Sequence, residues 1–170
     1  MRRTIAEIDA LPLAAFVEAY GGIAEHSAWV AERAAAARPF GTAEAMAAAF
    51  HAVLDRATRA ELLALVNAHP DLAGRAMKAG TLTADSTAEQ KGGGLDTLTD
   101  AEFARFTELN DRSRATFGFP FIHAMRGGAS KHQIIASFEE RLGNDAETEF
   151  RTALAMIKRI IGFRLEDRIA

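Results

Sequence analysis

The chain has 170 residues, of which 49% are hydrophobic and 25% charged, and its formal net charge is -3. A chain of this length buries a sizeable core, so we expect one globular domain over residues 1–170. The charge gives no basic surface for nucleic acid. The absence of cysteine excludes disulfides, thiolate metal sites and a cysteine nucleophile. No apolar run reaches the ~18 residues of a membrane span, which predicts a cytoplasmic protein with no membrane partner.

The first part of the chain predicts four helices. Apolar residues recur at helical spacing after Pro12, and a second helix containing Trp29 ends before Pro39. Thr42 is placed to cap a third helix. The fourth opens with the capping-box pattern Thr58–Glu61 and ends around His69-Pro70.

Segment 71–98 interrupts this pattern, because it holds five glycines and the helical stripe lapses. We expect an irregular glycine-rich segment with one short helix near Ser86–Gln90. Capping boxes at Thr99–Glu102 and Ser130–Gln133 open two further helices, and an apolar stripe from Phe150 to Leu165 predicts the last. The sequence therefore predicts an all-α bundle of about seven to eight helices.

His69, Pro70 and Asp71 stand where the fourth predicted helix ends. A histidine there commonly complements the C-terminal helix dipole, and proline commonly stops a helix. Because His69 leads into the glycine-rich segment, its side chain can equally face a pocket while the helix holds its backbone. These residues alone leave both interpretations open.

Ser86 and Glu89 also allow two interpretations. Their spacing is that of a capping box, which is a purely structural role. The helix they begin would be stopped almost at once by Gly92, and a short helix whose N-terminus faces a pocket offers backbone N–H groups to an anion or an amide carbonyl. The two roles are compatible.

Non-helical backbone is predicted to be buried in Phe117–His123, since Gly118 and Pro120 break the helix among aromatic residues. Core packing explains the phenylalanines, but the buried backbone needs hydrogen-bond partners, and a polar ligand is one candidate. Arg164 lies at the edge of the last apolar stripe. It can extend its stem to water or present a planar donor to a carboxylate in a closed pocket.

The spacing of the candidate metal ligands along the chain disfavours metal binding. His69, Asp71, Glu89 and His123 have suitable side chains, but the sequence holds no paired ligand motif on one helix. No phosphate-binding loop, nucleophile elbow or dinucleotide fingerprint occurs either. The sequence therefore favours no metal site.

Several motifs occur together in this one chain. In order, they are His69–Ala73, Leu82-Thr83, Ser86–Gln90, Leu109-Asn110, Phe117–Phe121 and Arg164-Leu165. Their order and intervals resemble the signature of the 2-oxo-4-hydroxy-4-carboxy-5-ureidoimidazoline (OHCU) decarboxylases. The resemblance implies an all-α, generally dimeric enzyme that works without metal or organic cofactor in the oxidation of urate to (S)-allantoin, so we expect a homodimer acting on a small anionic substrate.

The resemblance also implies residue roles. His69 matches the essential histidine, and Glu89 matches the acidic residue beside it. The residues that match substrate contacts or pocket lining are Pro70, Ser86, Thr87, Ala88, Gln90, Phe121, Ile122, His123, Ala124, Met125 and Arg164. Phe121 to Met125 are expected to contribute backbone atoms.

Two other functions remain open from the sequence. A helical binding module would use the helices as a partner surface and the apolar loop as core. A decarboxylase of a related ureido or hydantoin acid would keep the pocket chemistry, because fold and motif define that chemistry better than the outline of the ligand.

Overall fold

The computed structural model describes residues 2–126 and 128–170. In these residues the chain forms ten α-helices and no strand, with one 3-10 turn at Ala35–Ala37. An isolated bridge pairs Arg3 with Ile169. The all-α prediction is confirmed.

The chain divides into two compact units. One, the terminal unit, consists of Met1–Ala68 and Lys158–Ala170; the other, the central unit, consists of His69–Ile157. That residues 1–170 form one domain stays a prediction. Among the described helices, none is long and apolar enough to cross a membrane.

The terminal unit is built around aromatic side chains. Its helices are α1 (Ile5–Asp9), α2 (Leu13–Tyr20), α3 (Trp29–Ala34), α4 (Ala43–Arg56), α5 (Arg59–Ala68) and the last part of α10 (Ala146–Glu166). The ring of Phe16 lies 5.1 Å from that of Tyr20, 5.9 Å from Phe40 and 6.5 Å from Phe50. These buried rings join three elements: α2, the segment that follows α3, and α4.

The central unit has its own core. Its helices are α6 (Arg75–Ala79), α7 (Ala84–Gly92), α8 (Asp100–Phe117), α9 (Lys131–Arg141) and the first part of α10. One cluster joins α8 and α9 to three non-helical segments; it contains Leu72, Ala73, Leu95, Phe106, Leu109, Phe121, Met125, Ile134 and Phe138. Residues of all three segments are therefore part of the core.

Segment 71–98 is more regular than the sequence predicts, because it contains α6 and α7. The glycines stand mostly at helix ends: Gly74 is the N-cap of α6, Gly80 ends it with φ 68°, and Gly93 follows α7. A glycine at a helix end supplies the backbone freedom that a terminus needs without breaking the helix. The sequence also misses α1, which is five residues long and opens with a capping box between Thr4 and Glu7.

The capping boxes predicted at Thr58, Thr99 and Ser130 are all present. The carboxylate of Glu102 accepts from the backbone N–H of Thr99 at 2.8 Å and from Lys131 Nζ at 2.7 Å. It therefore links the N-terminal ends of α8 and α9. The hydrogen bond from Lys131, followed by that from the Thr99 backbone, lowers the pKa of Glu102 from 4.5 to about 2.

We predict that Glu102→Gln lowers the urea midpoint of unfolding at pH 7. The folded-state pKa lies below the unfolded one, so the carboxylate stabilises the fold fully above pH 4.5 and loses that effect as the pH falls toward 2. The difference between the variant and the unaltered protein should therefore shrink between pH 5 and pH 3, measured by circular dichroism. A difference that grows at acid pH would contradict the assignment.

Candidate active site

His69 begins the central unit, immediately after α5 ends at Ala68. Its side chain is buried, with 6% exposed. The turn that follows contains Ala73 with φ 50°. This left-handed backbone costs a residue with a Cβ about 1–2 kcal/mol, so surrounding contacts must hold the turn.

Helix α7 presents a polar face that includes two buried side chains. Ser86 is 4% and Gln90 is 2% exposed, and they lie one helical turn apart with half-buried Glu89 between them. The predicted capping box of Ser86 and Glu89 is wrong: the N-cap is Thr83, whose hydroxyl accepts from the Ser86 N–H at 3.2 Å. Because the N-cap lies three residues earlier, Ser86 belongs to the first turn of the helix and Glu89 to the turn after it.

Gln90 binds the turn after His69-Pro70. Its Oε1 accepts from the Ala73 N–H at 2.8 Å, and its Nε2 donates to the Asp71 carbonyl at 3.3 Å. The chain segment of His69 is thereby tied to the helix that carries Glu89. Gln90 is expected from the resemblance to contact substrate, and in this structure its amide also supports the protein backbone.

Two of the predicted substrate contacts lie on other sides of α7 from Ser86, and their contact with substrate stays a prediction. Thr87 lines a cavity of about 340 Å³ with apolar walls and the side chains of Lys78 and Lys91. Ala88 is exposed and lies about 200° around the helix from Ser86. The structure therefore brings Ser86, Glu89 and Gln90 to neighbouring positions on α7, and Thr87 and Ala88 lie outside that group.

The predicted buried loop is confirmed. Phe119, Phe121, Ile122, Ala124 and Met125 are at most 8% exposed, whereas His123 is half-buried. His123 stacks on Phe121 with the ring centroids 5.9 Å apart.

This loop packs against the end of α7. A Cβ at Gly93 would lie 2.0 Å from Met125 Cε, so a side chain at Gly93 would displace the methyl group. The close contact brings Met125 beside the C-terminal end of the helix that bears Glu89.

The backbone of the loop is held by a residue that the sequence analysis does not select. Arg141 on α9 donates from Nη1 to the Ile122 carbonyl at 2.7 Å and from Nη2 to Glu149 at 2.6 Å. Its guanidinium also lies 4.2 Å from the centre of the Phe121 ring. Arg141 is 8% and Glu149 1% exposed. The sequence feature that could have identified Arg141 is its place on the apolar stripe of α9, three positions after Phe138.

Arg164 lies in the terminal unit, on α10, and is buried there with 2% exposed. Its Nη1 donates to Glu25 Oε2 at 2.8 Å and to the Ile23 carbonyl at 3.3 Å. Glu25 is 1% exposed, so the planar donor does face a buried carboxylate, and that carboxylate belongs to the protein. The sequence analysis did not select Glu25, and no motif spacing signalled it.

Metal-binding groups do not converge in the part of the chain that the structure describes. Within residues 2–126 and 128–170, no three histidine, aspartate or glutamate side chains form a group that could hold a metal ion.

The geometry thus places one catalytic candidate, His69, on a turn tied to the helix of the other, Glu89. The sequence model of the OHCU decarboxylases matches residues 9–166 of this chain. The chain belongs to the OHCU decarboxylase family. That match includes every site residue named above.

Relatives within the OHCU decarboxylase family support the assignment over nearly the full chain. A protein from Haloferax volcanii named 2-oxo-4-hydroxy-4-carboxy-5-ureidoimidazoline decarboxylase is 38% identical over 98% of this chain and 96% of its own length. A protein of the same name from Amia calva is 36% identical over 96% of this chain and 93% of its own length.

A solved relative has the same fold. The crystal structure of an (S)-allantoin synthase is 34% identical and superposes with a TM-score of 0.77. The alignment covers 98% of this chain and 54% of that one. The chain therefore spans about half the length of that solved protein.

We predict that Glu149→Ala strongly destabilises the protein. It leaves the guanidinium of Arg141 buried without its carboxylate, a change that typically costs about 3–5 kcal/mol. Urea denaturation followed by circular dichroism measures the effect.

Glu108→Ala is the matched control. Glu108 also pairs with an arginine, Arg105, but its side chain is 54% exposed, and exposed pairs contribute about 0–1 kcal/mol. Equal losses in the two variants would show that burial does not determine the strength of the Arg141 contact.

Proposed function

We propose that this protein is a carboxy-lyase that converts 2-oxo-4-hydroxy-4-carboxy-5-ureidoimidazoline to (S)-allantoin in urate degradation. Membership of the OHCU decarboxylase family supports the reaction. The observation that carries the site assignment is the pair of Gln90 hydrogen bonds, which couple the His69 turn to the helix of Glu89. Both candidates occupy the positions that match the family's catalytic residues.

The substrate supplies its own electron sink. When the bond between C4 and the carboxylate breaks, its electron pair forms a C4=C5 double bond, and the pair of the adjacent C=N bond moves to nitrogen. The product forms when that nitrogen takes up a proton, the 4-hydroxyl loses its proton to become a carbonyl, and C5 gains a proton on one face. The protein therefore has to orient the carboxylate and manage these proton transfers.

In this proposal His69 exchanges the proton of the 4-hydroxyl, and Glu89 orients or couples to the imidazole. Gln90 holds a carbonyl, carboxylate or ureido group so that the breaking bond stays aligned with the C=N acceptor. Arg164 keeps the role that the sequence resemblance implies, a contact to substrate. Gln90 uses Oε1 for Ala73 and one N–H for Asp71, so its second N–H is the group that serves the substrate.

The pocket lining follows the same assignment. Pro70 and Ser86 flank the proposed catalytic residues along the chain, and the backbone of Phe121 to Met125 supplies polar atoms beside apolar side chains. Burial of Phe121, Ile122 and Met125 supports a water-poor wall, in which fixed hydrogen bonds act more strongly than in water. We further propose that the protein is a homodimer, as the family resemblance implies, and that it is cytoplasmic, as the composition predicts.

We predict that His69→Asn abolishes stereospecific allantoin formation while the fold is retained. An amide cannot exchange a proton near neutral pH, and loss of a general acid–base group typically lowers the rate about 10²–10⁴-fold. The measurement combines urate, urate oxidase and hydroxyisourate hydrolase with the variant and follows circular dichroism, because spontaneous decay gives slow racemic product.

The control is His132→Asn, which changes an exposed histidine on α9 and should leave the rate unaltered. Full activity of His69→Asn would overturn the catalytic role. A binding module would show no turnover with either variant or with the unaltered protein.

We predict that Arg164→Lys raises KM about tenfold or more. A lysine keeps a positive charge beside Glu25, but it lacks the planar fork that would donate to Glu25 and to the substrate at the same time. Arg159→Lys, on the exposed side of the same helix, should have unchanged kinetics in the same coupled assay. Unchanged kinetics of Arg164→Lys would argue against direct contact with substrate.

A further inference from the structure

One peptide group in the His69 turn is held at both of its polar ends by buried side-chain amides. The peptide joining Leu72 to Ala73 donates its N–H to Gln90 Oε1 at 2.8 Å and accepts at its carbonyl from Asn110 Nδ2 at 2.9 Å. Gln90 comes from α7 and Asn110 from α8. Two helices thus hold the same peptide, three to four residues after His69.

Stability alone does not explain an asparagine at position 110. The side chain is 5% exposed, and its Oδ1 is buried with no hydrogen-bond partner among the described residues. The amide satisfies the Leu72 carbonyl but leaves its own acceptor desolvated, and an unmet buried acceptor offsets much of what one hydrogen bond contributes. The gain that remains is geometric, because Nδ2 fixes where the Leu72 carbonyl lies.

The turn needs such an external hold. Ala73 adopts a left-handed φ of 50°, a conformation that a residue with a Cβ keeps only when its surroundings determine it. Asp71 adds a third tie, since it pairs with Arg114 of α8 at 3.0 Å, but both of these side chains are partly exposed. The buried amides of Gln90 and Asn110 are therefore the stronger constraint on the turn.

We propose that Asn110 is a positioning residue of this enzyme, which acts with Gln90 to hold the Leu72–Ala73 peptide and thereby fixes His69 relative to Glu89. The inference rests on the proposed function and adds to it a residue that does not touch the substrate. Gln90 ties the turn to the helix of Glu89, and Asn110 fixes the same peptide to the 18-residue helix α8. A turn released from Asn110 leaves His69 present but displaced.

The test replaces Asn110 by Leu, which has nearly the same size and no donor, and by Ala, which gives an answer if Leu does not fit. The control is Asn67→Ala, because Asn67 donates its Nδ2 to the Leu63 carbonyl at 3.1 Å in an exposed position two residues before His69. Three quantities are measured: kcat and KM in the coupled assay, the urea midpoint of unfolding, and hydrogen exchange of the Ala73 amide by NMR in the free protein.

We expect kcat of Asn110→Leu to fall about 10²-fold, the scale associated with a misplacement of about 1 Å at a reacting group, while KM and the unfolding midpoint stay near those of the unaltered protein. The Ala73 amide should exchange faster, and Asn67→Ala should match the unaltered protein in all three measurements. A kcat that is unchanged in Asn110→Leu, or that falls only in proportion to lost stability, would overturn the positioning role.

The exchange measurement separates this inference from the proposed function. If the unaltered protein does not decarboxylate this substrate, the proposed function fails. The exchange rate of the Ala73 amide still shows whether Asn110 fixes the Leu72–Ala73 peptide. Unaltered Ala73 protection in both Asn110 variants would overturn the inference whatever the substrate is.

Discussion

Buried backbone outside a helix must find hydrogen-bond partners, and this requirement organises the central unit. The segments that enter its core include the turn after His69 and the loop from Phe119 to Met125. Neither can pair its peptide groups within a helical ladder, and leaving a peptide group unpaired costs about 1–3 kcal/mol. The partners come from side chains on the surrounding helices.

These partners explain why several polar side chains lie in an apolar core. Gln90 and Asn110 bind the turn, Arg141 binds the Ile122 carbonyl, and Ser113 Oγ donates to the Phe119 carbonyl at 3.4 Å. Each of the four is at most 8% exposed. The same contacts that satisfy the backbone also fix the turn after His69 and the loop from Phe119 to Met125 to the surrounding helices.

Charge is handled in a similar way in both units. Arg141 with Glu149 in the central unit and Arg164 with Glu25 in the terminal unit are buried ion pairs, each with a nitrogen–oxygen distance of 2.8 Å or less. A buried guanidinium needs a carboxylate near it because desolvation of an isolated charge is costly. Glu25 and the Ile23 carbonyl hold the guanidinium of Arg164 in one orientation.

The sequence by itself determined the all-α class, the main helices with their capping boxes, the buried Phe119–Ile122 segment and the family. These features depend on spacing and composition, which local physics interprets without knowledge of distant contacts. The sequence analysis predicted too little helix in segment 71–98, because a glycine at a helix end cannot be distinguished by sequence from one that interrupts a helix. It also assigned the N-cap of α7 to Ser86, whereas Thr83 occupies that position. Only the tertiary structure revealed the buried contacts of Asn110, Glu25, Arg141 and Glu149. Their partners lie 8 to 139 residues away along the chain, and no local pattern encodes which carbonyl or carboxylate a buried side chain will meet.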